Sequence, residues 1–147
     1  MTTLINILIV DDSADDVEFT MTALRNTKLA NDISVVNDGV EALQYLRKEA
    51  PFENAKEPSL VLLDLNMPRK DGREVLQEMK GDERLKHIPV VILTTSQAEE
   101  DIIKSYDLHA NCYISKPIDL MELSKVVQAI DNFWFGVVKL PPKQWKS

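Results

Sequence analysis

Five side chains able to do chemistry stand where apolar runs end. Asp11 and Asp12 follow INILIV, Asp64 follows LVLL, Thr94 follows PVVIL, and Lys116 closes CYIS. Three carboxylates brought within a few ångströms repel one another. The ion that relieves this repulsion, with oxygen ligands and retained waters, is a small hard divalent cation, Mg²⁺. A carboxylate acts as a nucleophile toward phosphorus once a metal and a cation neutralise the transferred group, because phosphoryl transfer is mostly positioning and electrostatics. Lys116 supplies the cation, and the Thr94 hydroxyl bonds a phosphoryl oxygen. Together they describe an acyl-phosphate site. Taken singly, Asp64 reads as a turn residue and Lys116 as an exposed lysine; the combination outweighs both readings.

These residues meet only if the strands that carry them share one edge. Leu60, Val61, Leu62 and Leu63 form a run suited to a parallel strand covered on both faces, and it stops at Asp64. Asn66, Met67, Pro68, Asp71 and Gly72 then take the chain out of the sheet. Residues 5–10 make a first strand, and Ser13 is the expected N-cap of a helix whose face carries Val17, Met21 and Leu24. After a turn around Asn31 come a short strand over residues 33–36 and a helix opened by Asp38 and Gly39, with Val40, Leu43 and Leu46 on one face. Residues 49–59 read as a surface loop. A third helix follows over residues 74–80 with Val75, Leu76 and Met79, then a buried strand over 89–93. Glu99, Glu100 and Asp101 lead a fourth helix bearing Ile102, Ile103 and Tyr106, residues 112–115 form a fifth strand, and Leu120, Leu123, Val127, Ile130 and Trp134 mark a last helix. Alternation of five strands with five helices predicts an α/β fold with a five-stranded parallel sheet covered on both faces.

Composition narrows the function. The 147 residues fit one domain, and 24 acidic against 17 basic residues give a charge of −7, which argues against direct nucleic-acid binding through phosphates. The single cysteine, Cys112, excludes an internal disulfide framework and reads as a buried apolar residue. No stretch is long and apolar enough for a membrane span, and residues 4–10 lack the basic flank of a signal peptide, so a cytoplasmic protein is expected. His87 and His109 lack ligand-like neighbours in sequence.

From the paired acids through DLNMPRKDG to the Thr after the fourth strand and the Lys-Pro after the fifth, the chain resembles the receiver domain of two-component response regulators over residues 4–133. The resemblance implies a flavodoxin-like sheet in the order 2-1-3-4-5. It makes Asp64 the phosphoacceptor. Asp12, the Asp64 carboxylate and the Asn66 backbone carbonyl hold Mg²⁺, with Asp11 contributing indirectly or through water. Lys116 pairs with the phosphoryl group, while Thr94 and Tyr113 act as the switch. The segments LHANCY at 108–113 and DGRE at 71–74, and the ending FW at 133–134 followed by LPP, are similar to the single-domain regulators paired with phytochrome kinases of cyanobacteria and other bacteria. The donor implied is a sensor histidine kinase of phytochrome type. No DNA-binding segment follows residue 133, so transmission by binding to a downstream protein partner is expected. Residues 134–147 form an apolar extension expected to cover its own domain or a second copy, as in a homodimer.

Two other functions fit parts of the pattern. A haloacid-dehalogenase-type phosphatase also uses a strand-end Asp with Mg²⁺, but has a second Asp two residues on, where this chain has Asn66. A phosphorylation-independent interaction module has no need of Asp12, Asp64, Thr94 and Lys116 together.

Overall fold

The computed structural model describes residues 5–25, 31–65, 67, 70–94, 112–115, 121 and 125, with the backbone alone at Ile5, Asn31, Thr94, Cys112, Tyr113 and Ser115. The expected fourth helix, all of the last helix but Met121 and Lys125, Asn66, Lys116 and the extension over 134–147 lie outside these residues. The elements run β1 (Ile5–Val10), α1 (Ala14–Arg25), β2 (Asn31–Val36), α2 (Gly39–Leu46), β3 (Leu60–Asp64), α3 (Gly72–Lys80), β4 (Val90–Thr94) and β5 (Cys112–Ser115). All strand pairs are parallel, and the five-stranded sheet has the order β2-β1-β3-β4-β5. Among the described residues no helix is long and apolar enough to cross a membrane.

Every residue of β3 is buried, as its apolar run requires. Alternation along the strand divides the core in two. Val61 and Leu63 join Leu8, Val10 and Ile92 in a cluster closed by Leu43 and Leu46 of α2 and by Val75, Leu76 and Met79 of α3. Leu60 and Leu62 join Ile7, Ile9, Leu93 and Ile114 on the other face, under Leu24 of α1. Each such leucine removed from water contributes about 1.5–3 kcal/mol, which fixes the strand register firmly.

Several boundaries differ from the sequence expectation for local reasons. The second strand begins at Asn31, where a turn is expected, because its first two residues pair with Ile5 and Asn6. The third helix starts at Gly72, two residues earlier than its apolar pattern suggests, because Asp71 is its N-cap. Asp71 Oδ1 accepts the Glu74 N–H at 3.1 Å and Glu74 Oε1 accepts the Asp71 N–H at 3.2 Å, a reciprocal capping box. In α2 the buried face is Ala42, Leu43 and Leu46, with Val40 only half-buried. In α1, Thr20, Ala23 and Leu24 are buried, while Val17 and Met21 pack at the margin of the core. Ser13 caps α1 as expected, its hydroxyl accepting the Asp16 N–H at 3.3 Å.

Candidate functional site

The chain reverses its direction of travel across the sheet between β1 and β3, since β2 lies on one side of β1 and β3 on the other. Ligands of open parallel sheets bind outside the carboxyl ends of the strands at such a reversal. Val10 of β1 stands opposite Leu63 of β3, so the next residues, Asp11 and Asp64, leave the sheet side by side. Asp64 pairs with Leu93, which sets Thr94 one residue further toward the edge and level with Ser115 of β5. The register therefore brings the backbone of Thr94, and of the residue preceding Lys116, to the edge that carries the acids. The side chains of Thr94 and Tyr113, together with Asn66 and Lys116, are outside the described residues.

Carboxylate oxygens of Asp11, Asp12 and Asp64 all lie within 4.8 Å of one another. Asp11 is 0% exposed and Asp64 4%, whereas Asp12 is open to solvent. Backbone bonds fix the buried member: the Asp11 N–H donates to the Val36 carbonyl at 3.1 Å, and Asp11 Oδ1 accepts the Ser13 N–H at 3.0 Å. Like charges this close, two of them removed from water, raise the energy of the fully ionised state. A divalent cation with oxygen ligands offsets that energy, and exposed Asp12 gives it a route from solvent. The donor set fits a hard cation. Asp64 is also placed to act as a nucleophile, at a strand end behind which every position is core.

The turn after β3 is drawn tight against this pocket. The Gly72 N–H donates to the Leu65 carbonyl at 2.9 Å. A Cβ at Gly72 would stand 2.4 Å from the Asp64 carbonyl oxygen and 2.8 Å from the Leu65 Cα, so only glycine permits this approach. From the other side the Gly39 N–H, at the start of α2, donates to the Lys70 carbonyl at 3.1 Å. A Cβ at Gly39 would lie 2.2 Å from that oxygen. Sequence reasoning takes Gly72 for a turn former and assigns nothing to Lys70; the DGRE spacing that marks the capping box is the one local signal for this corner.

A second concavity, of about 330 Å³, lies among Asn6, Asp32, Ser34, Tyr45, Phe52 and Lys56 and contains none of the three acids. Its polar groups pair among themselves, Tyr45 donating to Ser34 Oγ at 3.1 Å and Lys56 meeting Asp32 at 3.9 Å. The carboxyl edge is the better candidate on chemistry. His87, unassigned from sequence, has Glu57 Oε2 at 3.2 Å from Nε2 and lies on the exposed surface.

Comparison with known proteins identifies the family. The response regulator receiver domain family matches residues 7–128. Response regulator Rcp1 of Synechocystis sp. is 46% identical over 135 residues, 92% of each chain. The solved Mn²⁺-bound form of Rcp1 matches with a TM-score of 0.73 at 46% identity, over 88% of this chain and 93% of that one. The structure of the phosphorylated cyanobacterial phytochrome response regulator RcpA gives a TM-score of 0.76 at 47% identity, covering 95% of this chain and 99% of its own. For the bacteriophytochrome response regulator RtBRR the TM-score is 0.82 at 42% identity, over 90% and 81% of the two chains.

Proposed function

Because the chain belongs to the response regulator receiver domain family, we propose that Asp64 accepts a phosphoryl group from a phytochrome-type sensor histidine kinase and that the phosphorylated form signals by binding a protein partner. A receiver draws its phosphoryl group from a histidine kinase, so a kinase partner follows from the family; its phytochrome type is inferred from the relatives. The observation that carries the reading is the convergence of Asp11, Asp12 and nearly buried Asp64 within 4.8 Å at the reversal of the sheet.

In this reading an Asp64 carboxylate oxygen attacks phosphorus in line with the departing imidazole nitrogen. The N–P bond breaks, an acyl phosphate forms, and the imidazole, whose other ring nitrogen carries a proton, leaves as the neutral base. Asp12, the Asp64 carboxylate and the Asn66 backbone carbonyl would hold the divalent cation, taken as Mg²⁺, with Asp11 contributing indirectly or through water. When bound, that ion offsets the charge gathering on the phosphoryl oxygens. Lys116 pairs with the acyl phosphate, and Thr94 hydrogen-bonds a phosphoryl oxygen. Tyr113 follows Thr94 and carries the change to the surface beyond β5. The receiver is assigned to residues 4–133, and the apolar extension at 134–147 to a homodimer contact in the cytoplasm. Neither a phosphatase nor a phosphorylation-independent module is favoured, given the match of family and site together.

The test is transfer of labelled phosphate from an autophosphorylated phytochrome-type kinase. Label is expected to move to this chain only with Mg²⁺ and to be released by hydroxylamine, as an acyl phosphate is. Asp64→Asn is expected to accept none. Equal labelling of the variant would contradict the assignment.

A further inference from the structure

Lys70 is held at both ends. Its carbonyl accepts the Gly39 N–H at 3.1 Å, and its ammonium pairs with Glu78 of α3. Glu78 uses its other oxygen on Arg47, just past the end of α2, at 3.3 Å, and Arg47 Nε meets Asp82 at 3.7 Å. Signs alternate through this network, which ties the turn after β3 to the helices on its flank. The side chains of Arg47, Lys70 and Glu78 are 29%, 27% and 35% exposed, so they are less screened than the Lys86–Glu83 pair, at 51% and 86%. Lys70 holds the Glu78 carboxyl below the usual range, Arg47 adding to the effect against the opposing influence of burial.

Position gives the network a lever on the acids. Lys70 precedes the α3 N-cap, Asp71, and Gly72 touches the backbone of Asp64 and Leu65. A shift of Lys70 therefore carries through one residue to the carbonyl of Asp64. The Gly72–Leu65 and Gly39–Lys70 bonds pin the described residues of the turn from two sides.

We propose that Lys70 is a positioning residue for the acidic pocket: gripped by Glu78 and by the Gly39 N–H, it holds the turn after β3 against Asp64 and so sets the pocket's affinity for a divalent cation. The consequence for phosphoryl transfer rests on the reading of Asp64 as phosphoacceptor, whereas the effects on the turn and on cation affinity do not. Lys70 touches no reacting atom. Its influence passes through backbone.

The full chain, Lys70→Met, Lys70→Arg and Lys86→Met distinguish this role from a plain surface ion pair. Amide hydrogen exchange at Gly39 and Gly72 reads the turn, and Mg²⁺ titration followed by amide chemical shifts reads the pocket. Lys70→Met is expected to speed exchange at both glycines and weaken Mg²⁺ binding, each by about two- to fivefold, the size of a partly screened ion pair. Lys70→Arg, which keeps the charge, is expected to restore both values, and Lys86→Met to change neither. Unchanged exchange in Lys70→Met would overturn the proposal. So would faster exchange with unchanged Mg²⁺ affinity, or a native chain that binds no Mg²⁺. A chain that behaves as expected here yet takes no label from the kinase would leave the positioning role standing and remove the phosphoacceptor reading alone.

Discussion

Two groups of charges flank the turn after β3, and they are built on opposite plans. At the carboxyl edge, three acids of one sign are packed within 4.8 Å, two of them buried. At the seam of α2 and α3, Arg47, Lys70, Glu78 and Asp82 alternate in sign and stay partly wet. The seam balances its own charge, so its role is cohesion and placement. The edge concentrates charge that an outside cation is suited to complete, which is how a site differs from a brace.

The sharpest way to break this contrast is one substitution made in both regions. Gly72→Ala forces a methyl group onto the Asp64 carbonyl and is expected to destabilise the fold by about 2–3 kcal/mol, in line with other overpacked sites. Gly81→Ala, at the end of α3, meets nothing closer than 3.4 Å and has φ of −89°, so a change within about 0.5 kcal/mol is expected. Urea denaturation of both variants reads the difference. Similar losses would show that the turn is not specially tight.

Mg²⁺ sharpens the electrostatic half of the comparison. At a concentration near one hundred times its dissociation constant, a ligand of the native state alone adds about 2.7 kcal/mol, or roughly 5–11 °C in Tm for a domain of this size. Thermal melts with Mg²⁺ and with chelator are expected to show that gain in the native chain and to lose most of it in Asp12→Asn. Without metal the variant is expected to melt above the native chain, because one like charge has gone. Arg47→Met, at the seam, leaves the Lys70–Glu78 pair in place and is expected to keep most of the Mg²⁺ gain.

Acid addresses the seam and gives the smallest effect. The folded Glu78 carboxyl titrates below its ordinary 4.5, so the unfolded chain binds its proton first as pH falls. The stabilisation from this pairing is present above that ordinary value and is lost as pH drops through the lower, folded one. Arg47→Met is expected to cost less than about 1 kcal/mol at pH 7, given the exposure of the pair, and to approach the native chain as acid removes the charge on Glu78.

Legibility in the sequence follows the range of the interactions. Strands β3 and β4 are plain because a doubly buried strand needs a continuous apolar run, and that requirement is local. The acids were legible because each ends such a run, and parallel pairing alone brings Asp11 beside Asp64. Helix starts were less plain, since Asp71 and Gly72 look like any turn until Glu74 is recognised as the return arm of a cap. The Lys70–Glu78–Arg47 network leaves no trace, because Arg47, 31 positions from Glu78, reaches it only after α2 packs on α3. The same holds for Gly39, whose need for glycine is set by a carbonyl far along the chain.

In the function proposed for it, the acidic edge makes Asp64 a metal-dependent phosphoacceptor. Intact mass after incubation with a small-molecule phosphodonor tests it without assuming any partner. The account predicts one added phosphoryl group in the native chain with Mg²⁺, and none with chelator or in Asp64→Asn. An adduct that persists in Asp64→Asn, or that forms equally well without a divalent cation, would contradict it.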